Sequence, residues 1–160
     1  MAPGDPVHDG DLLATGPGAR LAARLDDGTE ITLGENAELL IDEFVYEAGS
    51  RGNLFLKVLK GAFLFIGGAI EEIMASNVAI DTPAATLGIR GTTVWGGPID
   101  DGYGVLVQDG RVAVTTDRRT VVLGPGEATM IAGRDSAPEA PHTWSAEKTA
   151  RAVAAVSFAE

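Results

Sequence analysis

The run Asp81-Thr82-Pro83-Ala84-Ala85-Thr86-Leu87-Gly88-Ile89-Arg90-Gly91-Thr92-Thr93-Val94-Trp95 reads as a strand, a kink and a second strand. Thr92, Thr93, Val94 and Trp95 are β-branched or aromatic and suit a pleated backbone. Pro83 cannot donate to a ladder, so it belongs at a strand start or an edge. Gly88 and Gly91 bracket Ile89-Arg90, and glycine inside a strand pattern marks a bulge or a close backbone approach. Both glycines are therefore expected to hold conformations closed to larger residues, so that valine at either position destabilises the fold. Arg90 is the only charge between Asp81 and Asp100. The first expectation for it is a covered guanidinium that ties loops together through backbone carbonyls or an acid such as Asp81. The second is an anion contact for a ligand or partner. Trp95 is read as core or sheet edge, with an exposed binding aromatic as the alternative for it and for Trp144.

Downstream, Gly96 to Gly102 is glycine- and aspartate-rich and reads as a loop. Val105 to Gln108, then Asp109-Gly110, then Arg111 to Val114 reads as a hairpin, because Asp-Gly between two strand-like runs is the strongest short-range signal for one. Val121 and Leu123 mark another strand, Gly124-Pro125-Gly126-Glu127 a turn, and Ala128 to Ile131 a last strand. Gly133 to Pro141 has linker composition, after which Ser145 caps a helix running to about Phe158. The apolar face of that helix is read as Ala150, Val153, Ala154 and Ser157, packing on the sheet or on something outside this chain.

Upstream, Gly4-Asp5 and Gly10-Asp11 read as turns around a short strand. Leu21, Ala23 and Leu25 alternate with exposed residues, Asp26-Asp27-Gly28 supplies a hairpin turn, and Ile31 and Leu33 resume the buried face. Leu39 and Ile41 are out of step with Phe44 and Tyr46, which predicts a bulge or bend near Asp42-Glu43. Ala48 to Asn53 reads as a loop, Leu54 to Leu59 as a strand, and Phe63 to Ile66 as a central strand apolar on both faces. Gly67 to Asn77 reads as a short helix or an irregular connection. Roughly ten to twelve short strands with frequent turns predict an all-β sandwich with a C-terminal α-helix, a compact β-helix being the alternative. The division is a β domain over residues 1–132, a linker over 133–144 and a helix over 145–160.

The 160 residues suffice for one core, and the chain has no cysteine, hence no disulfide framework. With 12 basic against 23 acidic residues the net charge is -11, which repels phosphate backbones and anionic lipid, so nucleic acid is not an expected partner. No window approaches the ~18 consecutive apolar residues of a membrane helix. Nor does the start, Met1-Ala2-Pro3-Gly4, show a secretory signal; a leader or membrane helix removed from the natural N-terminus is one expectation, a cytoplasmic protein the other.

Catalytic patterns are missing. None of Ser50, Ser76, Ser136, Ser145 and Ser157 lies in a nucleophile motif, and His8 and His142 lack metal-ligand spacing and read as exposed loop residues. The acidic pairs Asp26-Asp27, Asp42-Glu43, Glu71-Glu72 and Asp100-Asp101 fall in turns or on strands, where neighbours point to opposite faces and cannot flank one substrate. Calcium at Asp100-Asp101-Gly102 with Asp81 is a minor alternative without EF-hand spacing. No cofactor, no metal site and no enzymatic activity are expected.

Thr82-Pro83, Ala85 and Gly88-Ile89-Arg90-Gly91-Thr92 together resemble the signature of the FecR domain family. The resemblance extends upstream over Gly4-Asp5, Gly10-Asp11, Leu13, Thr15-Gly16, Leu25 to Thr29, Leu33-Gly34 and Lys60-Gly61. Downstream it takes in Val105, Val107, Gly110, Val112, Val114, Leu123, Gly126 and Glu127. It implies a jelly-roll-like pair of packed sheets. It also implies the periplasmic, signal-receiving part of a regulator of an extracytoplasmic-function sigma factor, often for iron uptake. The cytoplasmic anti-sigma part and membrane helix of such regulators have no counterpart here. The expected partner is a protein, either an envelope receptor or a second copy of the chain, and the expected location is the periplasm or cell surface. The rival reading is a structural, self-assembling surface module that pairs through its sheet edges.

Overall fold

The computed structural model describes residues 7–47, 51–68 and 77–157. Among these residues eleven strands form one hydrogen-bonded network: β1 (Leu12–Ala14), β2 (Leu21–Arg24), β3 (Glu30–Leu33), β4 (Glu38–Glu47), β5 (Arg51–Lys60), β6 (Phe63–Ile66), β7 (Asn77–Asp81), β8 (Thr86–Ile99), β9 (Gly102–Thr115), β10 (Thr120–Leu123) and β11 (Ala128–Ile131). Among the described residues one helix follows, α1 (Ala146–Ala155). The fold is all-β.

Two layers arise because β8 and β9 are long enough to run through both. The first half of β8 pairs with β7 and its second half with β6. Likewise the start of β9 pairs with β11 and its end with β10. The first layer is thus β1-β4-β5-β7-β8-β9-β10, and the second is β2-β3-β6-β8-β9-β11. All these pairings are antiparallel except β5 with β7. Between the layers lies one core built by period-two alternation, with Leu39, Ile41, Leu54 and Ile80 from the first layer and Ile31, Leu33, Phe63 and Phe65 from the second. The parity change near Asp42-Glu43 is a register shift between Ile41 and Glu43, as the hydrophobic pattern requires.

Three local readings are corrected. Asp109-Gly110 does not reverse the chain, because β9 runs straight through it. The hairpin is β8–β9 itself, turned by Asp100 (φ 51) and Asp101 (φ 64), and the glycine-rich stretch from Gly96 to Ile99 is strand rather than loop. Both turn residues have positive φ, as a two-residue hairpin with the right twist demands. Residues 51–53 belong to β5, whose Gly52 and Asn53 pair with Tyr46 and Val45. Most of the 67–77 connection and the Gly4-Asp5 motif lie outside the described residues.

The second layer is covered on its outer face. Trp95, Leu106 and Ala128 point away from the main core and meet Trp144, Ala152 and Val156 in a second cluster. Trp144 lies against Gly104, where a Cβ would approach its ring to 2.6 Å. Ser145 caps α1 by accepting from Lys148 N–H at 3.1 Å, and the helix packs on the sheet. Its buried face is Ala152 and Val156; Ala150, Val153, Ala154 and Ser157, read as apolar contacts, face solvent instead. So alanine-rich a helix has too weak a stripe to set its own rotation, and the sheet and Trp144 set it. Residues 133–144 run back along the sheet, His142 bridging Ala128 and Glu139 N–H donating to the Met130 carbonyl at 3.0 Å.

Candidate functional site

The stretch from Asp81 to Trp95 builds a turn and then a bend. At the turn, the Thr82 hydroxyl donates to the Ala85 carbonyl at 2.7 Å and accepts from Ala84 and Ala85 N–H at 3.2 and 3.0 Å. Thr82 is buried while Pro83 is exposed at the apex, where its missing N–H costs nothing. Arg134 closes this turn from outside, pairing with Asp81 and donating to the Thr82 carbonyl at 2.7 Å. Thr86 donates to the same Asp81 carboxylate at 3.1 Å. The clasp expected of Arg90 is therefore made by Arg134.

At the bend, β8 and β9 pass from one layer to the other, with register shifts between Arg90 and Val94. Gly91 (φ 56) and Gly110 (φ 81) face each other across it. A Cβ on Gly110 would stand 2.2 Å from the Gly91 carbonyl oxygen and 2.6 Å from that of Arg90, so Asp109-Gly110 is a bulge packed backbone to backbone. Thr92, buried, plugs the kink: its hydroxyl donates to the Arg90 carbonyl at 2.5 Å, lies 3.1 Å from the Arg111 carbonyl and accepts from Arg90 N–H at 3.2 Å. Ile89 is buried in the main core.

Gly88 departs from expectation. It lacks positive φ, and a Cβ there would meet only Ala113 Cβ, at an ordinary 3.9 Å. Arg90 is exposed, which overturns the covered guanidinium. Its direct cross-strand partner is Arg111, also exposed, a residue the hairpin reading had placed elsewhere. Neither guanidinium makes an ion pair among the described residues. Beside the bend, Ile66, Gly67, Gly68, Gly91, Thr92, Thr93 and Asp109 line an open hollow of about 290 Å³. Trp95 is 1% exposed and Trp144 6%, in edge-to-face contact at 6.0 Å, so neither offers a ring to a ligand.

Three of the acids, Asp27, Asp81 and Asp100, have structural partners. Asp27, buried in the β2–β3 turn, accepts from Thr29 N–H at 3.0 Å and from its hydroxyl at 2.7 Å. Asp100 pairs with Arg151 at 2.8 Å and Lys148 at 3.2 Å, and Arg151 first, then Lys148, holds its carboxyl below the usual range. With Asp81 on Arg134 and Asp100 on α1, the calcium alternative loses its ligands. His8 and His142 are exposed, and among the described residues no three of His, Asp and Glu gather as a metal site. What the bend can do chemically is receive carboxylates or similar anions on two adjacent planar cations.

Fold and bend together define a two-layer β domain whose motif residues shape a crossing between sheets. The family profile described as FecR protein matches residues 11–113, more than half of the chain. The chain belongs to the FecR family. Among solved structures, two crystal structures of candidate anti-sigma factors from Parabacteroides distasonis ATCC 8503 share the fold. One has a TM-score of 0.71 at 15% identity, covering 88% of this chain and 62% of that one. The other has a TM-score of 0.66 at 17% identity, covering 88% and 63%. The chain thus spans under two thirds of the length of either. No curated protein matches it. Among the described residues no helix is long and apolar enough to cross a membrane.

Proposed function

We propose that this chain is the extracytoplasmic, signal-receiving domain of a sigma-factor regulator of the iron-uptake type, acting by binding a protein and catalysing nothing. One observation carries the binding part. The motif residues Thr82, Gly91 and Thr92 are spent on the turn and the bend, while Arg90 stands exposed beside Arg111 on a chain of net charge -11. Family membership and the shared fold of candidate anti-sigma factors support the regulatory part. The partner is an envelope receptor, and the location is the periplasm or cell surface, with the cytoplasm as the rival location. The test is a transcriptional reporter for the sigma factor encoded beside the full-length natural gene. Excising residues 11–131 should uncouple the reporter from its inducing signal, and an unchanged response would overturn the proposal.

A self-assembling module is the second reading, favoured by Leu12 and Val122 standing 51% and 50% exposed on the edge strands β1 and β10. Sedimentation that shifts with concentration would select it.

A further inference from the structure

We infer that the uncovered outer face of the first layer docks an extended acidic segment of a partner protein, whose carboxylates the Arg90–Arg111 pair receives. The inference rests on the reading that this domain works by binding a protein, and names the surface and the chemistry of the occupant. While α1 covers the outer face of the second layer, the first has no such cover among the described residues. One row across this face is Phe55, Ala79, Gly88, Ala113 and Val122, in register from β5 to β10. The three middle members are half-buried and small, so the face is a shallow floor between Phe55 and Val122, and beyond Phe55 the row continues onto β4 at Glu43. Gly88 answers no need of the fold, having ordinary φ and only an ordinary 3.9 Å approach to Ala113 Cβ where a side chain would start, yet glycine in a strand centre costs stability. Its effect is to keep that floor open to another chain.

The next row of the same face carries Arg90 opposite Arg111. Like charges directly opposite are unfavourable, and nothing among the described residues neutralises this pair. Asp109, the nearest acid in sequence, accepts from Gly110 N–H at 3.0 Å. Elsewhere on the face, Lys57 adds a third exposed cation, Asp81 is taken by Arg134, and the half-buried Glu43 lies at the β4 margin, separated from the arginine pair by β5 and β7. An acidic polypeptide complements this arrangement. A second copy and a nucleic acid are both opposed by the net charge of -11. Crossing five strands at about 4.8 Å spacing takes about six extended residues.

The probe is a fluorescein-labelled alternating Glu-Ala peptide of about eight residues, long enough to cross the face, with the Gln-Ala peptide as control. Anisotropy with the full chain should show saturable binding of the acidic peptide, weakened by salt. Arg90→Ala/Arg111→Ala should weaken it about tenfold or more. Gly88→Leu should do the same by filling the floor, with the melting temperature kept. Arg24→Ala/Arg151→Ala, which removes two exposed cations on β2 and α1 of the second-layer side, should leave binding unchanged. The inference is overturned if the neutral peptide binds equally, if neither binds, or if the control pair loses as much. It is also overturned if Arg90→Ala/Arg111→Ala lowers the melting temperature by several degrees, which would place an internal partner on the guanidiniums, or abolishes self-association, which would make the occupant a second copy. The sigma-factor reading has its own readout. A reporter that needs the domain but ignores Arg90→Glu/Arg111→Glu keeps that reading and sinks this one, whereas selective peptide binding with an indifferent reporter does the reverse.

Discussion

At the scale of single residues, the two glycines of the motif are unequal, and a third matters more than either. Gly110 combines positive φ with two carbonyl oxygens inside 3.0 Å of where a Cβ would stand. Gly110→Ala should cost about 2–4 kcal/mol by urea denaturation, adding backbone strain to overpacking. Gly88→Ala should instead gain about 0.5–1 kcal/mol, since the methyl meets nothing closer than 3.9 Å. Equal losses at both positions would contradict the bend as described. The arginines divide the same way. Arg134→Ala should lose about 1 kcal/mol with the Asp81 and Thr82 contacts, discounted because both side chains of the pair are partly exposed, and Arg90→Ala should lie within about 0.5 kcal/mol of zero. The sequence reading named Asp81 as one acid that Arg90 could bind, but the arginine that binds it is Arg134. Arg134 lies far along the chain, and only the return of residues 133–144 along the sheet brings it to the turn.

At the scale of elements, alternation placed the strands, because inward positions such as Ile31, Leu33, Leu54 and Leu56 repeat every second residue. Connections were less legible. Asp-Gly reports a backbone that can take positive φ, and both a reversal and a bulge use that freedom. What distinguishes them is Gly91 lying opposite Gly110, a pairing visible only once β8 and β9 are aligned. The same alignment hid Arg111 as the neighbour of Arg90. The real reversal at Asp100-Asp101 carries a pH-sensitive tie, since Asp100 holds Lys148 and Arg151 of α1 and Lys148 sits 4.5 Å over the Trp144 ring. The carboxyl is held below its ordinary 3.8, so the pair stabilises docking above that value and the contribution is lost as pH falls through the lowered one. Tryptophan fluorescence should therefore report a loosening of α1 below about pH 4. Asp100→Asn should weaken docking at neutral pH and flatten that acid-side change; an identical acid-side change in the variant would show that the Asp100 tie does not cause it.

At the scale of the whole molecule, the two hydrophobic clusters are differently made. The main core is shut between layers that share β8 and β9, so neither layer can open without breaking strands of the other. The second cluster is smaller, and the indole N–H groups of Trp95 and Trp144 are buried in it without a hydrogen-bond partner among the described residues. Each such group costs about 1–3 kcal/mol, which offsets part of what burying the rings contributes. The helix side should therefore be the part that opens first, while the sandwich follows only on global unfolding. Dividing the chain into 1–132, 133–144 and 145–160 is a proposal, and native-state hydrogen exchange tests it together with this order. Amides of α1 should exchange through a local opening well below the global free energy, and those paired between β8 and β9 only at it. A chain ending at Gly133 should then keep the strand signature in far-UV circular dichroism while losing several kcal/mol and exposing Trp95 and Leu106. If α1 and β8 exchange at one free energy, or the shortened chain loses its strands, helix and sandwich are a single cooperative unit and the boundary at 132 divides nothing.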